Sequence, residues 1–459
     1  MDFVRQAVNE HTSSDSYKTA ETAESYYAKR NQTIVKYQKF LYNSNGQAYP
    51  DLFSANYKTR TLIFRKFVVQ QVQYVLSNGV SFGQDGTKDR LGRDFDNRLQ
   101  QLAKKAMVDG VAFGFWNLDH LEVFPFADTP HAPGFVPLYD EEDGSLKAGV
   151  RYWSLNGAET KRYTLYELDG YTEYIQKKNE DIQIRQPKRP YQQTVRVDAT
   201  GEETVEAGDN YLGFPIIPMY ANDLWESELV GVQESIDCYD FIKNGLANEI
   251  DDSSGVYWVL KNSGGMDDLD IARFLDRMRT LRAATVDSED GGGAEAHTLD
   301  IPYEARSAML DRLRSDLHDD FQLVDMDKIM SGNLTATAIR MGYQAQDDKC
   351  GDFEYCVRDF IGKLLELIGI DDEPSFQWNR IANQLEETQM VLTAANYLDD
   401  EAVLRHLPWL TPEEVDAVLE RKDAEDMGRL DVVESKQAEE TIPKDQEKGV
   451  TEGEGQRME

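Results

Sequence analysis

The sequence predicts an α+β fold that is mainly helical, with a block of β-strands in the first half of the chain. Apolar residues recur at helical spacing in several long segments, of which residues 94–107 and 232–252 are clear cases. Residues 135–200 instead alternate with a period near two and are broken by turns such as Asp143-Gly144, as half-buried strands require. The chain has 459 residues, which is enough for two to four domains.

The first half of the chain is predicted to pass from helix to strand. Residues 1–20 are polar and are expected to be loose. Residues 23–76 carry apolar residues at helical spacing and close at Asn78-Gly79, which is typical of a helix end. Residues 110–126 are rich in aromatic residues and valine, and residues 211–223 form an apolar, proline-broken extended segment. A strand block therefore separates the early helices from the later ones.

The second half is predicted to be mostly helical. The expected elements are a strand at 255–262 that can pair with the segment ending near residue 300, a short helix at 264–282, helices at 303–325 and 335–370, a short strand at 375–380, and helices at 384–398 and 411–428. From about residue 431 the chain is polar and acidic, which indicates a disordered tail.

The stretch 232–252, VQESIDCYDFIKNGLANEIDD, carries two stripes when it is drawn as a helix with about 100° per residue. The apolar stripe consists of Val232, Ile236, Tyr239, Ile242, Leu246 and Ile250. The second stripe consists of acids and amides three or four residues apart, Asp237, Asp240, Asn244, Asn248 and Asp251. The solvated face of an ordinary amphipathic helix explains the second stripe, and so does the wall of an aqueous passage. One helix does not separate these alternatives.

The chain is strongly acidic, with a formal net charge of −35. A protein that binds DNA by neutralising phosphates needs basic patches. Consecutive basic residues occur here only in short runs, such as Lys177-Lys178 and Lys188-Arg189. The composition therefore argues against a DNA clamp, but it is compatible with a passage to which DNA does not stick.

The cysteine content indicates that the protein is in a reducing compartment, and the hydropathy indicates that the chain does not span a membrane. The three cysteines are too few, and odd in number, for a disulfide framework. The first residues lack the apolar core of a secretion signal, and no run approaches 18 apolar residues. Neither a signal peptide nor a membrane span is expected.

No motif for phosphoryl transfer, hydrolysis or dinucleotide binding occurs in the sequence. The nearest approach to a phosphate loop, GVSFGQDGTKDR at 79–90, has its lysine in the wrong place. The six histidines include no pair at i, i+4, and Asp319-Asp320 is interpreted as part of a solvated face. We therefore expect no catalysis, no cofactor and no metal site. An intracellular acidic α/β enzyme or adaptor with an unrecognised site is the alternative.

Six segments, taken in order, resemble those of the portal proteins of long-tailed bacteriophages. The early segments are QYVLSNGVSF, MVDGVAFGFWNLD and the strands VRYW and YTEYI. In the central segment, Ile217–Asp223 is similar to a proline-bearing run before a helix, and Ile236–Asp240 is similar to the IDxYD sequence of that helix. The later segments are two: IMSGNLTATAIRMGYQAQDDKC, and PSFQWNR followed by LRHLPWLTPEEVDAVLER. The likeness covers about residues 30–425, and the order of the segments makes it specific.

The resemblance implies a portal fold, with a mixed β wing, a small α/β clip and helices, that assembles into a ring of usually twelve subunits. The implied domains are a wing at 1–227, stem helices at 228–253 and 303–325, a clip at 254–302, a tunnel loop at 326–335, a long helix with a return wing strand at 336–383, crown helices at 384–430 and a disordered acidic tail at 431–459.

The resemblance also implies three groups of functional residues. The stripe Asp237, Asp240, Asn244, Asn248 and Asp251 would line the channel. The tunnel loop would present Asp327, Lys328, Met330, Ser331, Gly332 and Asn333, and the clip interface would include Asp267, Asp268, Arg273 and Arg277.

The implied function is a ring-shaped channel at one capsid vertex for DNA packaging and ejection. The implied partners are other copies of the chain, double-stranded DNA, the terminase large subunit, a head–tail adaptor, and the major capsid and scaffolding proteins. The implied location is the portal vertex of the virion, after assembly in the host cytoplasm. Acidic walls would offer DNA no ion pairs, so the duplex would slide, and screening within about 8–10 Å would keep repulsion from blocking entry. A shorter ring-forming connector of the virion is the other structural alternative.

Overall fold

The structure, a computed structural model, divides the chain into two compact units. One comprises residues 1–333 and 341–380, and the other residues 334–340 and 381–459. The described residues are 2–42, 45–52, 54–84, 86–155, 159–197, 203–253, 257–261, 269–270, 272–273, 293–297, 302–325, 341–379, 384–407, 410, 414–422 and 424.

The first unit combines nine described helices with several antiparallel sheets. Its helices are α1 (Asp2–Ser13), α2 (Asp15–Tyr27), α3 (Thr33–Lys36), α4 (Ile63–Leu76), α5 (Thr87–Leu91), α6 (Phe95–Asp109), α7 (Gln233–Ser253), α8 (Tyr303–Asp320) and α9 (Gln344–Ile368). The mixed helix and sheet architecture agrees with the predicted class.

Residues 2–20 are helical except for Ser14, so the prediction that residues 1–20 are loose is wrong. Val4, Ala7 and Val8 are buried on one face of α1, while the polar residues between them face solvent. Ser14 separates α1 from α2, and its hydroxyl accepts a hydrogen bond from the Tyr17 amide, as an N-cap does. The segment is polar on average, but it contains a short amphipathic pattern whose apolar residues pack against β6 and β7.

Residues 23–76 form three helices rather than one helical stretch. After α2 and α3 the chain forms a hairpin of β1 (Phe40–Tyr42) and β2 (Ala48–Pro50), then runs extended to α4. Gly46 has φ of 77° and Pro50 has no amide hydrogen to donate, so a helix cannot pass through this segment.

The strands form the predicted meander and a smaller sheet beside it. The remaining strands are β3 (Val80–Phe82), β4 (Val111–Asn117), β5 (His120–Pro125), β6 (Gly134–Tyr139), β7 (Leu146–Leu155), β8 (Thr160–Glu167), β9 (Gly170–Lys177), β10 (Gln183–Arg189), β11 (Gln192–Val197), β12 (Glu203–Asp209), β13 (Ile216–Tyr220), β14 (Tyr257–Lys261), β15 (Gly293–His297) and β16 (Pro374–Phe376). The five-stranded sheet has the order β10-β9-β8-β7-β6, and the three-stranded sheet has the order β13-β4-β5. Pro218 lies in the edge strand β13, where a missing amide hydrogen is tolerated.

An aromatic core joins the two sheets. Phe113, Phe124 and Phe135 are fully buried, and the rings of Phe113 and Phe135 lie 4.6 Å apart. Tyr166 and Tyr191 extend the cluster. Aromatic burial of this kind supplies much of the free energy that holds strands together.

Helix α9 packs on the three-stranded sheet through Phe360, which is fully buried. A Cβ added at Gly114 in β4 would lie 2.5 Å from the Phe360 ring, so the absent side chain lets the helix approach. The short strand β16 follows α9 and pairs with β3, and it overlaps the short strand predicted at 375–380.

The predicted pairing at 255–262 is present, since Tyr257 faces His297 across β14 and β15. Most of the predicted helix at 264–282 lies outside the described residues. Helix α8 ends at Asp320, earlier than the predicted 325, and Leu323 and Val324 after it are buried.

The second unit contains α10 (Gln384–Ala394), α11 (Asp400–Arg405) and helical residues 414–422. Arg405 of α11 lies 3.8 Å from the Asp416 carboxylate, and Lys422 also pairs with Asp400. The predicted acidic tail at 431–459 lies outside the part of the chain that is described.

We expect Gly114→Ala to lower the free energy of unfolding by about 1–3 kcal/mol, because the new methyl group overlaps the Phe360 ring in a packed core. Gly362→Ala is the matched control, since nothing lies within 4 Å of its Cβ position and alanine favours the interior of α9. Denaturant unfolding measures both. Equal midpoints for the two variants would contradict this packing.

Candidate functional site

The apolar stripe of α7 is buried at its start and exposed at its end. Val232 and Ile236 are buried, Tyr239 is partly buried, and Ile250 is half exposed. Helices α8 and α3 pack against α7. The predicted stripe is therefore covered by the chain itself over its first turns only.

The acid and amide stripe of α7 binds the backbone of the extended segment 57–61. The Asn244 Oδ1 atom accepts the Thr59 amide at 2.6 Å, and its Nδ2 atom donates to the Thr59 carbonyl at 2.7 Å. Asn248 accepts the Tyr57 amide at 2.6 Å. Asp240 accepts the Thr61 amide at 3.1 Å. Each of the three side chains thus satisfies a backbone group that has no strand partner.

The spacing of the two elements explains this match. Four residues of α-helix rise about 6.0 Å, and two residues of extended chain rise about 6.6 Å. Positions 240, 244 and 248 of the helix therefore keep step with positions 61, 59 and 57 of the segment. We call this arrangement the polar ladder.

Burial in the polar ladder changes the ionisation of Asp240. The loss of solvent raises the pKa of this carboxyl above its ordinary value, and the hydrogen bonds from Thr61 oppose the rise. The Asp240 backbone carbonyl also accepts a hydrogen bond from Asn244 Nδ2 at 2.7 Å. Asp240 therefore accepts hydrogen bonds at both its side-chain carboxylate and its backbone carbonyl.

The channel-lining prediction is wrong for Asp240, Asn244 and Asn248. Their exposed fractions are 1%, 2% and 5%, because the segment 57–61 covers them within one chain. A side chain buried in this way cannot face an aqueous channel. Asp237 is partly buried and accepts the Tyr26 hydroxyl at 2.6 Å. Asp251 is exposed, with the Tyr57 hydroxyl 3.4 Å away.

The other predicted site residues fall mostly outside the described chain. These are the tunnel-loop residues Asp327, Lys328, Met330, Ser331, Gly332 and Asn333 and the clip residues Asp267, Asp268 and Arg277. Arg273 is described and exposed, with its guanidinium 3.7 Å from Asp270.

Sequence reasoning missed the partner of the stripe. Residues 57–61 carry Thr59 and Thr61 at alternating positions, which is a strand-like signal inside a stretch predicted as helix. Tyr26, whose hydroxyl donates to Asp237, lies within the same stretch. Burial and this hydrogen bond raise the pKa of Tyr26 to about 12.

A second buried acid also binds backbone amides. Asp109 at the end of α6 accepts the amides of Phe126 and Ala127, and burial raises its pKa well above the ordinary value. The described residues contain no cluster of metal-ligating side chains. No helix in the described part of the chain is long and apolar enough to cross a membrane.

Comparison with known proteins gives the chain a family. A family model described as phage portal protein, SPP1 Gp6-like, matches residues 8–428. The portal protein of Clostridium phage phiCD119 is 23% identical over 422 residues, which cover 83% of this chain and 90% of that protein. The portal protein of Bacillus phage SPP1 is 24% identical over 351 residues, which cover 72% and 66%.

Solved structures also show likeness. The neck of an empty GTA particle computed with C6 symmetry is similar at a TM-score of 0.40 and 11% identity, over 74% of this chain and 88% of that one. The neck of a native GTA particle computed with C12 symmetry has a TM-score of 0.39 and 12% identity, over 75% and 89%.

The sequence match over most of its length shows that this chain belongs to the phage portal proteins. Within that class, the family is the SPP1 Gp6-like one. The resemblance inferred from the six ordered segments is therefore confirmed.

We expect Asn244→Ala to lower the free energy of unfolding by about 1–3 kcal/mol, because the amide and carbonyl of Thr59 lose the buried side chain to which they are hydrogen-bonded. Limited proteolysis should then cut the chain within 51–62 much faster than in the wild type. Glu234→Ala, at an exposed position in the first turn of the same helix, is the control and should stay within about 0.5 kcal/mol. Equal protease resistance in Asn244→Ala and the wild type would count against the polar ladder.

Proposed function

We propose that this portal protein forms the ring-shaped channel at one vertex of a bacteriophage head, through which double-stranded DNA is packaged and later ejected. The family match over residues 8–428 carries the proposal. In this proposal the ring has usually twelve copies, docks the terminase large subunit and then a head–tail adaptor, and contacts the major capsid and scaffolding proteins. It is assembled in the host cytoplasm, and its role is structural.

The order of the described elements supports the domain assignment within this proposal. The sheets of β4 to β13 would form a wing within 1–227, and α7 and α8 would be stem helices within 228–253 and 303–325. The β14–β15 pair would belong to a clip at 254–302. The tunnel loop would be 326–335, followed by the long helix and return strand at 336–383 and the crown at 384–430.

The charge of the chain supports passage rather than retention of DNA. Twelve copies at −35 each would carry −420 formal charges before counterions. Basic walls would pair with the DNA phosphates, release their counterions and hold the duplex. In the proposal, Asp251 is the stripe residue left to face the channel, while the tunnel loop and the clip residues Asp267, Asp268, Arg273 and Arg277 contact DNA or partner proteins.

The purified full chain is expected to form rings with a central opening in negative-stain electron microscopy. Twelve copies of 52.4 kDa would give a mass of about 630 kDa in mass photometry. Particles of a single 52.4 kDa chain at all concentrations would contradict the proposed function.

Asp251→Lys is expected to slow DNA packaging several-fold while leaving rings intact, because a ring of added cations would attract the phosphate backbone. Glu234→Lys makes the same change of charge in the first turn of the same helix, on another face, and should package normally. Packaging of DNA into heads, measured by nuclease protection, tests both. Normal packaging by Asp251→Lys would remove the channel role from this residue.

A further inference from the structure

Charge is segregated along the chain in a way that the net value hides. Residues 25–84, here called the basic segment, contain eight Lys and Arg residues and one acid, Asp51. Their formal charge is +7, which leaves −42 on the other 399 residues. An even spread of the 84 acids over 459 residues would place about 11 in a stretch of 60. The near absence of acids therefore gives this segment a positive charge, in contrast to the acidic remainder of the chain.

Most cations of the basic segment make no ion pair within the described part of the chain. Lys29, Arg30, Lys36, Arg65 and Lys66 are exposed, and none of these five makes an ion pair with another described residue. The other three hold the segment in place. Lys58 and Arg60 donate to the carbonyls of Val35 and Lys29, each at 2.8 Å, and Lys39 donates to the Ala55 carbonyl at 2.9 Å. The exposed cations thus face outwards from a fixed backbone.

The same segment exposes a cluster of large apolar side chains. Tyr42 and Leu52 are 71% and 83% exposed. The whole set is Tyr37, Phe40, Leu41, Tyr42, Tyr49, Leu52, Tyr57 and Leu62. Every described residue of the β1–β2 hairpin is exposed, although an isolated two-stranded hairpin is only marginally stable in water. Clustered apolar exposure of this kind indicates a surface that a partner covers.

A complementary surface exists on α8 of the same chain. Glu304, Asp311 and Asp319 lie seven and eight residues apart, so they share one face of the helix. All three are exposed, and none makes an ion pair within the described structure. Tyr303 and Met309 add exposed apolar area to α8. The nearby cation Arg312 is already paired with Asp316 at 3.1 Å.

We propose that the basic segment of one subunit docks on the acidic face of α8 in a second copy of the chain. The inference rests on the proposed ring. Two different surfaces that meet between identical chains form a head-to-tail contact, and such a contact builds a ring when the rotation between neighbouring copies closes. The attraction of +7 for an acidic face also offsets the repulsion between subunits that carry −35 each.

A protein partner fits this surface better than DNA does. Phosphates are bound by cations and polar groups, which would leave Phe40, Leu41 and Leu52 exposed beside the duplex. A protein interface buries such side chains at its centre and places charges at its rim. The mixture of aromatic, aliphatic and basic residues is therefore the composition of a subunit contact.

The test reverses two exposed cations in the full chain. Arg30→Glu combined with Lys36→Glu should raise the protein concentration at which rings form by roughly tenfold or more at physiological salt, measured by mass photometry. Lys177→Glu combined with Lys178→Glu changes the net charge equally at an exposed place outside the basic segment, and should assemble like the wild type. Adding Asp311→Arg and Asp319→Arg to the Arg30/Lys36 variant should restore ring formation.

Each outcome separates the inference from the proposed function. If the wild-type chain forms no rings, the proposed function fails first. If the wild type forms rings and the Arg30/Lys36 variant assembles equally well, this interface is wrong. Failure of the α8 substitutions to restore assembly would exclude α8 as the partner surface. Normal rings that lose DNA binding would show that the basic segment contacts DNA instead.

Discussion

The polar ladder between α7 and residues 57–61 is the contact on which the packing around α7 depends. Backbone groups buried without a partner cost about 1–3 kcal/mol each, and an extended segment outside any sheet has nothing else to offer them. Asp240, Asn244 and Asn248 supply those partners over two turns of helix. They join parts of the chain that are more than 170 residues apart in sequence.

The ladder also fixes the basic segment in place. With Thr59 and Thr61 held against α7, the side chains of Lys58 and Arg60 reach back to the carbonyls of Val35 and Lys29. The exposed cations and aromatic residues are thereby presented on a backbone of defined shape. An acidic stripe that first suggested a channel wall is thus, for three of its five members, the internal support of a surface that faces other chains.

Local sequence patterns predicted the helices and turns whose bounds depend on neighbouring residues in the sequence. Helix α6 was predicted as 94–107 and is Phe95–Asp109, and the turn at Asp143-Gly144 lies between two strands as expected. Periodicity shows which side chains of α7 share a face, but it does not show what covers that face. The covering segment lies at 57–61, far away in the sequence, so burial of Asp240 was not foreseeable from the helix alone. The basic segment was missed because the net charge averages over the whole chain.

Residue-resolved hydrogen exchange on the wild-type protein tests the polar ladder most directly. The amides of Tyr57, Thr59 and Thr61 donate to α7, whereas those of Lys58 and Arg60 have no partner among the described residues. The account predicts slow exchange at 57, 59 and 61 alternating with fast exchange at 58 and 60. Fast exchange at all five positions would contradict it.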